Sequence, residues 1–368
     1  MKVLEINSVC GIRSTGRIVT EIADEYIREG HEVIIAYGRE KVPSKYQSIS
    51  KRIGSEFDVK INALETRFFD NDGFTAKRDT REFLKWAEDY NPDLLWLHNL
   101  HGYYINIELL FKWIKTRPSM LVRWTLHDCW AFTGHCSYFT YARCDKWLKH
   151  CEKCIQKKEY PASYFFDSSY ENYDRKRNAF SDVKNMTLIT PSQWLANLVA
   201  QSFLRGYPVE VHNNRINTNV FKPIESNIKQ KLGIDNKKLV LGVAAQWQPS
   251  KGYQDFIKLA ERLPESYSVV LVGLTKEQLK KLPYSIVGIE RTNSQKELAE
   301  LYTAADVFFN PTYEDNYPTV NLEAKACGTP VITYNSGGSP ESVNPSCVFE
   351  PGDLEGVIGK IVQLCEPV

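Results

Sequence analysis

The sequence predicts an α/β protein of two doubly wound domains, each a parallel sheet covered on both faces. Three observations carry that reading. Short apolar runs alternate with amphipathic helical periods, as they do where crossover helices bury both faces of a sheet. The alternation restarts after about residue 220. The first strand of each half also runs into a glycine-bearing turn, at Gly11 and Gly16 in the first half and at Lys251-Gly252 in the second. A chain of 368 residues suits two domains of ordinary size.

In the first half, residues 3–6 form the opening strand. Ile18, Ile22, Ala23, Tyr26 and Ile27 then recur at helical spacing, and Gly30 ends that helix. Further strands are expected at 33–36, 94–97, 120–126 and 186–189, with helices at 106–115 and 192–203. The polar stretch NNRINTNVFKPIESN, residues 213–227, has no period and reads as a linker, which places the domains at 1–212 and 213–368. In the second half, KLVLGVAA is a buried strand, YQDFIKLAERL a helix, YSVVLVG a strand and KELAELYTAA a helix. DVFFNPT is a strand and turn, and TPVITY a last strand. Two such domains facing each other leave a cleft, and ligands of these sheets sit outside the carboxyl ends of the strands.

Bulk composition excludes several classes. A net charge of +1 gives no footprint for nucleic acid. Hydrophobic residues at 43% and charged residues at 25% are ordinary for a globular chain. No apolar run approaches the ~18 residues of a membrane span. The start, MKVLEINSVCG, reads as a strand and turn and not as a signal peptide. A cytoplasmic protein is expected, and in that compartment the nine cysteines are not disulfides.

Several short stretches carry chemistry. NSVCGIRSTGRIVTEIA follows the first strand and opens the first helix, so its glycines let backbone approach a ligand where a helix N-terminus favours an anion. Its spacing is neither GxGxxG nor a P-loop, and a plain tight turn is the alternative. Lys251 follows the first strand of the second half, where an ammonium can reach a phosphate. His127 ends a buried strand in RWTLHDCW and so faces the expected cleft; a core histidine satisfied by Asp128 is the alternative.

Cys136, Cys144, Cys151 and Cys154 fall within 19 residues of an insertion at about 129–160. The Cys-x-x-Cys pair has ligand spacing, and four thiolates suit a tetrahedral structural zinc; free thiols in a compact loop are the alternative. Residues 143–158 hold six Lys/Arg against two acids. That is either a solvated face or a patch for a membrane surface or an acidic ligand.

The stretch NPTYEDNYPTVNLEAKACGTPVIT places Glu314 and Asp315 just before a helix and Glu323 within it. Pro318 fits the first helical turn, and Cys327-Gly328 ends the helix. At about 100° per residue, Asn321 and Lys325 define its wet face and Glu323 lies off it. A carboxylate there needs a partner, because burying it alone costs several kcal/mol. A ligand diol or a structural tie would each serve. SGGSPES, with Glu341, follows the next strand.

Taken together, STGRI, HDCWAFTGHC with the cysteines, NTNVFKP, SKG, the acidic helix and GGSPE occur in the order of a known family. The chain resembles, over nearly its whole length, the retaining family 4 glycosyltransferases of GT-B fold, in particular the bacterial enzymes of capsule, exopolysaccharide and O-antigen assembly. The resemblance implies a hexosyltransferase-type enzyme without a catalytic metal. It would move a sugar from a UDP- or GDP-sugar to a saccharide acceptor, lipid-linked, at the inner face of the membrane. Peripheral membrane association is one expectation. Nucleic acid is not an expected partner.

By the same resemblance, the second domain holds the donor and the first most of the acceptor. Lys251 would hold the diphosphate and Glu323 the ribose hydroxyls. Glu314 or Asp315, with the backbone of Asn316, Tyr317, Pro318 and Thr319, would meet the donor sugar. His127 would sit near the reacting carbon, and Gly16 would let the first turn approach donor and acceptor.

Three departures from the family pattern stand out. Gln246 replaces an arginine five residues before Lys251, and Arg215 stands where it could supply that charge instead. The chain ends soon after VIGKIVQL, short of helices that usually cross back to the first domain. The family's paired acids have seven residues between them, which fits Asp315 with Glu323, whereas residue type fits Glu314. A GT-B-like sugar-nucleotide epimerase and a non-catalytic carbohydrate-binding homologue are the other readings.

Overall fold

In a computed structural model, residues 1–366 are described. They divide into two compact units, Met1–Asn213 and Asn214–Val368.

The first unit runs β1 (Lys2–Asn7), α1 (Arg13–Arg28), β2 (Glu32–Tyr37), β3 (Ser50–Arg52), α2 (Glu56–Phe69), α3 (Lys77–Tyr90), β4 (Leu94–Leu97), α4 (Ile107–Lys115), β5 (Leu121–Thr125), α5 (Ser169–Phe180), β6 (Met186–Thr190), α6 (Gln193–Val199) and β7 (Val209–Val211). Its seven strands are all parallel, in the order β3-β2-β1-β4-β5-β6-β7. Order reverses between β1 and β4, so loops leaving those strands diverge and leave a crevice at their carboxyl ends. Strand β4 is wholly apolar, while β1 buries the acid Glu5, 0% exposed, among apolar neighbours.

The second unit runs α7 (Ile228–Lys231), β8 (Lys238–Val243), α8 (Tyr253–Arg262), β9 (Tyr267–Val272), α9 (Lys276–Lys281), β10 (Ile286–Ile289), α10 (Gln295–Ala304), β11 (Val307–Asn310), α11 (Thr319–Ala326), β12 (Val331–Tyr334), β13 (Val348–Phe349) and α12 (Leu354–Cys365). Its sheet is parallel in the order β10-β9-β8-β11-β12-β13, with the switch point between β8 and β11. Two apolar clusters, one on each face, bury this sheet against its helices. The GT-B expectation of two parallel-sheet α/β units is what the chain adopts.

Two local expectations change. The helix that begins with the periodic residues near Ile18 starts already at Arg13, so Gly16 lies in its first turn. Pro318 stands just before α11 as its cap residue, with extended backbone, and the helix begins at Thr319.

Candidate active site

In the second unit, three loops leave the carboxyl ends of the neighbouring strands β8, β11 and β12, at and beside the switch point. The β8 loop carries Lys251. Its ammonium donates to Asp315 Oδ2 at 2.8 Å, to the Glu314 carbonyl at 3.0 Å and to Thr312 Oγ1 at 3.3 Å. The β11 loop thus wraps a cation with one carboxylate, one carbonyl and one hydroxyl. Both Lys251 and Asp315 remain partly solvent-accessible. The second Asp315 oxygen accepts from the Asn316 N–H at 2.9 Å, which fixes the carboxylate's orientation.

Close backbone approach holds these loops together, and two glycines make it possible. Gly252 has φ +75°, and a Cβ there would lie 2.3 Å from the Pro311 carbonyl oxygen. Gly337, in the β12 loop, has φ +58°, and a Cβ there would lie 2.0 Å from the Asp315 carbonyl oxygen. That same carbonyl accepts from the Gly338 N–H at 3.1 Å, and the Ser336 hydroxyl donates to the Tyr313 carbonyl. SKG and GGSPE are therefore shims under the Asp315 loop. Gly252→Ala should lower the stability of the protein by about 2 kcal/mol or more, since it combines a left-handed backbone with overpacking. A fall in the thermal midpoint checks this.

Glu323 is buried, and the Tyr302 hydroxyl donates to its Oε2 at 3.1 Å. The carboxylate thus has the partner its position demands. Asn321 corrects the expected wet face: it is 0% exposed. Its amide donates to Ser339 and Ser342 at 3.2 and 2.8 Å, and its carbonyl accepts from Asn310 at 2.9 Å. The helix wheel misplaced it because α11 lies between β11 and the polar β12 loop, so a polar residue can be buried there with every bond made. Lys325 is exposed, as expected, and donates to the Ser342 carbonyl at 2.9 Å. Tyr317 is tied through its carbonyl to the Asn214 amide at 2.8 Å, while Gln246 and Arg215 are exposed.

In the first unit, the loops at the switch point carry a different chemistry. The glycine turn follows β1 and is closed by the Gly11 N–H on the Gly16 carbonyl at 3.0 Å. His98 follows β4 and His127 follows β5. Their rings stack, with centroids 5.4 Å apart, and His98 Nδ1 meets His127 Nε2 at 3.1 Å. Behind them, His98 Nε2 lies 3.4 Å from Glu5 Oε2. Burial pushes the Glu5 carboxyl well above its ordinary range. Burial likewise pushes His127 down to about 4. His98 falls well below its usual value, first by burial and then through the charge of His127. Both imidazoles of this array are thus held neutral at pH 7.

Asp128 pairs with His101 at 2.8 Å, and His101 in turn meets the Tyr160 hydroxyl at 2.9 Å. Sequence reasoning missed Glu5, His98, Thr312 and Tyr302. A lone acid in an apolar strand and a histidine directly after β4 were the available signals for the first two.

Among the described residues, no group of three or more His, Cys, Asp or Glu is gathered as a metal site. Instead, the buried Cys136 thiol is hydrogen-bonded to Cys154, which that bond pulls down to about 7. Cys144 and Cys151 pack against the first unit's core.

The architecture defines a class first. The chain aligns over 99% of its length with sucrose-phosphate synthase from Thermosynechococcus elongatus (TM-score 0.69, 13% identity, 89% of that chain). It aligns over 100% with HepE of Anabaena in complex with UDP-glucose (TM-score 0.66, 15% identity, 90% of that chain). These likenesses give the fold, GT-B.

Within it, residues 224–366 match the family Glycosyl transferases group 1, and the chain carries a domain of that family. A protein of Escherichia coli named as a colanic acid biosynthesis glycosyl transferase, WcaC, is 24% identical over 75% of this chain and 67% of its own length. An N,N'-diacetylbacillosaminyl-diphospho-undecaprenol alpha-1,3-N-acetylgalactosaminyltransferase of Campylobacter jejuni is 32% identical over 35% of this chain and 36% of its own. The second match thus spans about a third of that relative.

Proposed function

We propose that the protein is a retaining glycosyltransferase that moves a sugar from a nucleotide sugar to a saccharide acceptor on a lipid carrier during surface polysaccharide assembly. The observation that carries the reading is the Lys251 ammonium, held by Asp315, Glu314 and Thr312 at the switch point of a group 1 glycosyltransferase domain. A diphosphate arriving there meets a preorganised cation where negative charge grows on the leaving group. Asp315, hydrogen-bonded to that cation, is assigned to accept from a hydroxyl of the donor sugar. Glu323, already oriented by Tyr302, is assigned to the ribose hydroxyls. In the first unit, the neutral His127 is assigned to a sugar hydroxyl near the reacting carbon. The polysaccharide role and the lipid-linked acceptor are supported by the names of the WcaC and Campylobacter relatives.

The test is a donor panel. Purified protein is incubated with UDP-, GDP- and dTDP-sugars, and binding is read by thermal shift alongside release of nucleoside diphosphate. One base is expected to stabilise the protein, with slow hydrolysis of its sugar. Absence of both for every donor would overturn the reading.

A further inference from the structure

The loops that leave β1, β2, β4 and β5 build a second polar corner in the first unit, beside His98 and His127. Its frame is a chain of bonds. The Trp130 N–H donates to Asp128 Oδ1 at 2.9 Å, Asp128 Oδ2 meets His101 Nε2 at 2.8 Å, and His101 Nδ1 meets the Tyr160 hydroxyl at 2.9 Å. The tautomer that donates from Nε2 to the carboxylate leaves Nδ1 to accept from the phenol. Tyr160 is thus pinned by its polar end. Its ring stands edge-on to His101 and Tyr103, with centroids 5.4 and 6.2 Å away, yet the residue is 41% exposed. An aromatic body fixed by an engaged hydroxyl, with ring surface left in water, is a contact face for a ligand.

Positive charge stands beside that ring. Arg39, two residues beyond β2, is anchored by its N–H on the Ser8 carbonyl at 2.9 Å. Its guanidinium lies 5.8 Å from the Tyr103 ring centroid and packs over Gly102, where a Cβ would stand 3.4 Å from Nη1. Among the described residues, the Arg39 guanidinium has no hydrogen-bond or ion-pair partner. The acids around it are already engaged. Glu40 pairs with Arg13 at 2.5 Å, Asp128 with His101, and the buried Asp72 accepts from the Gly102 and Tyr103 N–H groups at 3.3 and 3.1 Å. Arg67, in the last turn of α2, is a second guanidinium without such a partner among the described residues. Burial and the Asp72 charge push the Tyr103 phenol up, while the charges of Arg39 and Arg67 act against them. A half-buried, unpaired guanidinium in this setting suits an incoming oxyanion.

We propose that this corner selects an acceptor saccharide that carries a negative group: a sugar ring lies on Tyr160 while its oxyanion pairs with Arg39. The assignment rests on the glycosyltransferase reading above and adds to it the charge class of the acceptor. A uronate on the sugar and the diphosphate that joins a saccharide to a lipid carrier offer the same oxyanion chemistry.

The experiment is a calorimetric titration of the full chain with three acceptor analogues: a neutral hexoside, the matching hexuronide and a hexose on a short prenyl diphosphate. Donor binding is read separately by thermal shift. A charged analogue should bind about tenfold or more tightly than the neutral one, the scale of one charged hydrogen bond, and which of the two does so identifies the source of the anion. Arg39→Ala should remove that preference and Arg39→Lys should restore part of it, with the donor shift retained in both. Tyr160→Ala should weaken all three analogues by about tenfold, whereas Tyr160→Phe keeps the ring and should weaken them less. Equal binding of neutral and charged analogues, a charge preference that survives Arg39→Ala, or no binding of either charged analogue would overturn the proposal while a donor shift leaves the glycosyltransferase reading in place. A native protein that shows no shift with any donor would overturn that reading and the proposal with it.

Discussion

Replacing Lys251 by alanine should reduce turnover by about 10²–10³-fold, the scale seen when one preorganised charge partner of a transition state is removed. Two losses combine. The cation that meets the leaving diphosphate is gone, and Asp315, 2.8 Å from the lost ammonium, is left as an uncompensated negative charge beside it. The pairing also gives Asp315→Asn an expected signature of its own. In the unliganded protein, the lysine charge is partly spent on Asp315. Asn at 315 should therefore bind the nucleoside diphosphate as tightly as the native protein or more tightly, while kcat falls if Asp315 meets the donor sugar. Glu314→Ala removes a side chain but keeps the carbonyl that holds Lys251 at 3.0 Å, so its effect should be the smaller of the two. Steady-state kinetics with nucleoside diphosphate inhibition separate these cases. A Glu314→Ala loss larger than that of Asp315→Asn would move the first acid of the pair to Glu314.

That ordering was only half legible in the sequence. Spacing pointed to Asp315 and residue type to Glu314. The structure shows which carboxylate lies against Lys251, a contact across 64 residues that no local pattern encodes. The rule that ligands sit at strand carboxyl ends did place Lys251 and His127 correctly on their loops, because apolar runs such as those of β4 and β8 are unambiguous. The same rule applied to LLWLHN would have found His98. Helix α2 was invisible for a physical reason: its apolar stripe is exposed and its buried residues are polar, so a wheel has no core face to report. Asn321 misled in the opposite way, as a polar residue whose bonds are all made inside. The insertion around the cysteines holds no regular period, and its order comes from side-chain bonds to distant backbone, such as Lys176 Nζ on the Trp130 and Thr133 carbonyls.

The largest effect in the first unit is expected at His127, and its origin is electrostatic. A glycosyl transition state carries positive charge on the sugar ring. A protonated imidazole at ~4 Å would oppose it by about 4 kcal/mol at an effective dielectric of 20, roughly a thousandfold in rate. Burial pushes His127 down to about 4, so the ring is neutral across the working range. Activity should therefore be level in pH above about 5 and drop as pH approaches 4. The sign for stability is the same. The unfolded histidine, near 6.5, takes its proton first, so the array's contribution is complete above that value and is lost as pH falls from there toward 4. With the sugar contact proposed for it, His127→Ala should cost about 10²-fold or more in turnover.

His98 and Glu5 act through His127, as positioning residues. His98→Phe keeps the stack but removes the 3.1 Å bond to Nε2, so it should lower kcat by about tenfold and move the acid limb of the pH profile, which a purely structural change would leave in place. Glu5→Gln tests the charge state of the acid. A neutral carboxyl and an amide are near-isosteres, so the thermal midpoint and kcat should stay close to native. A large loss in Glu5→Gln would mean that an ionised Glu5 paired with a protonated His98 is the working form.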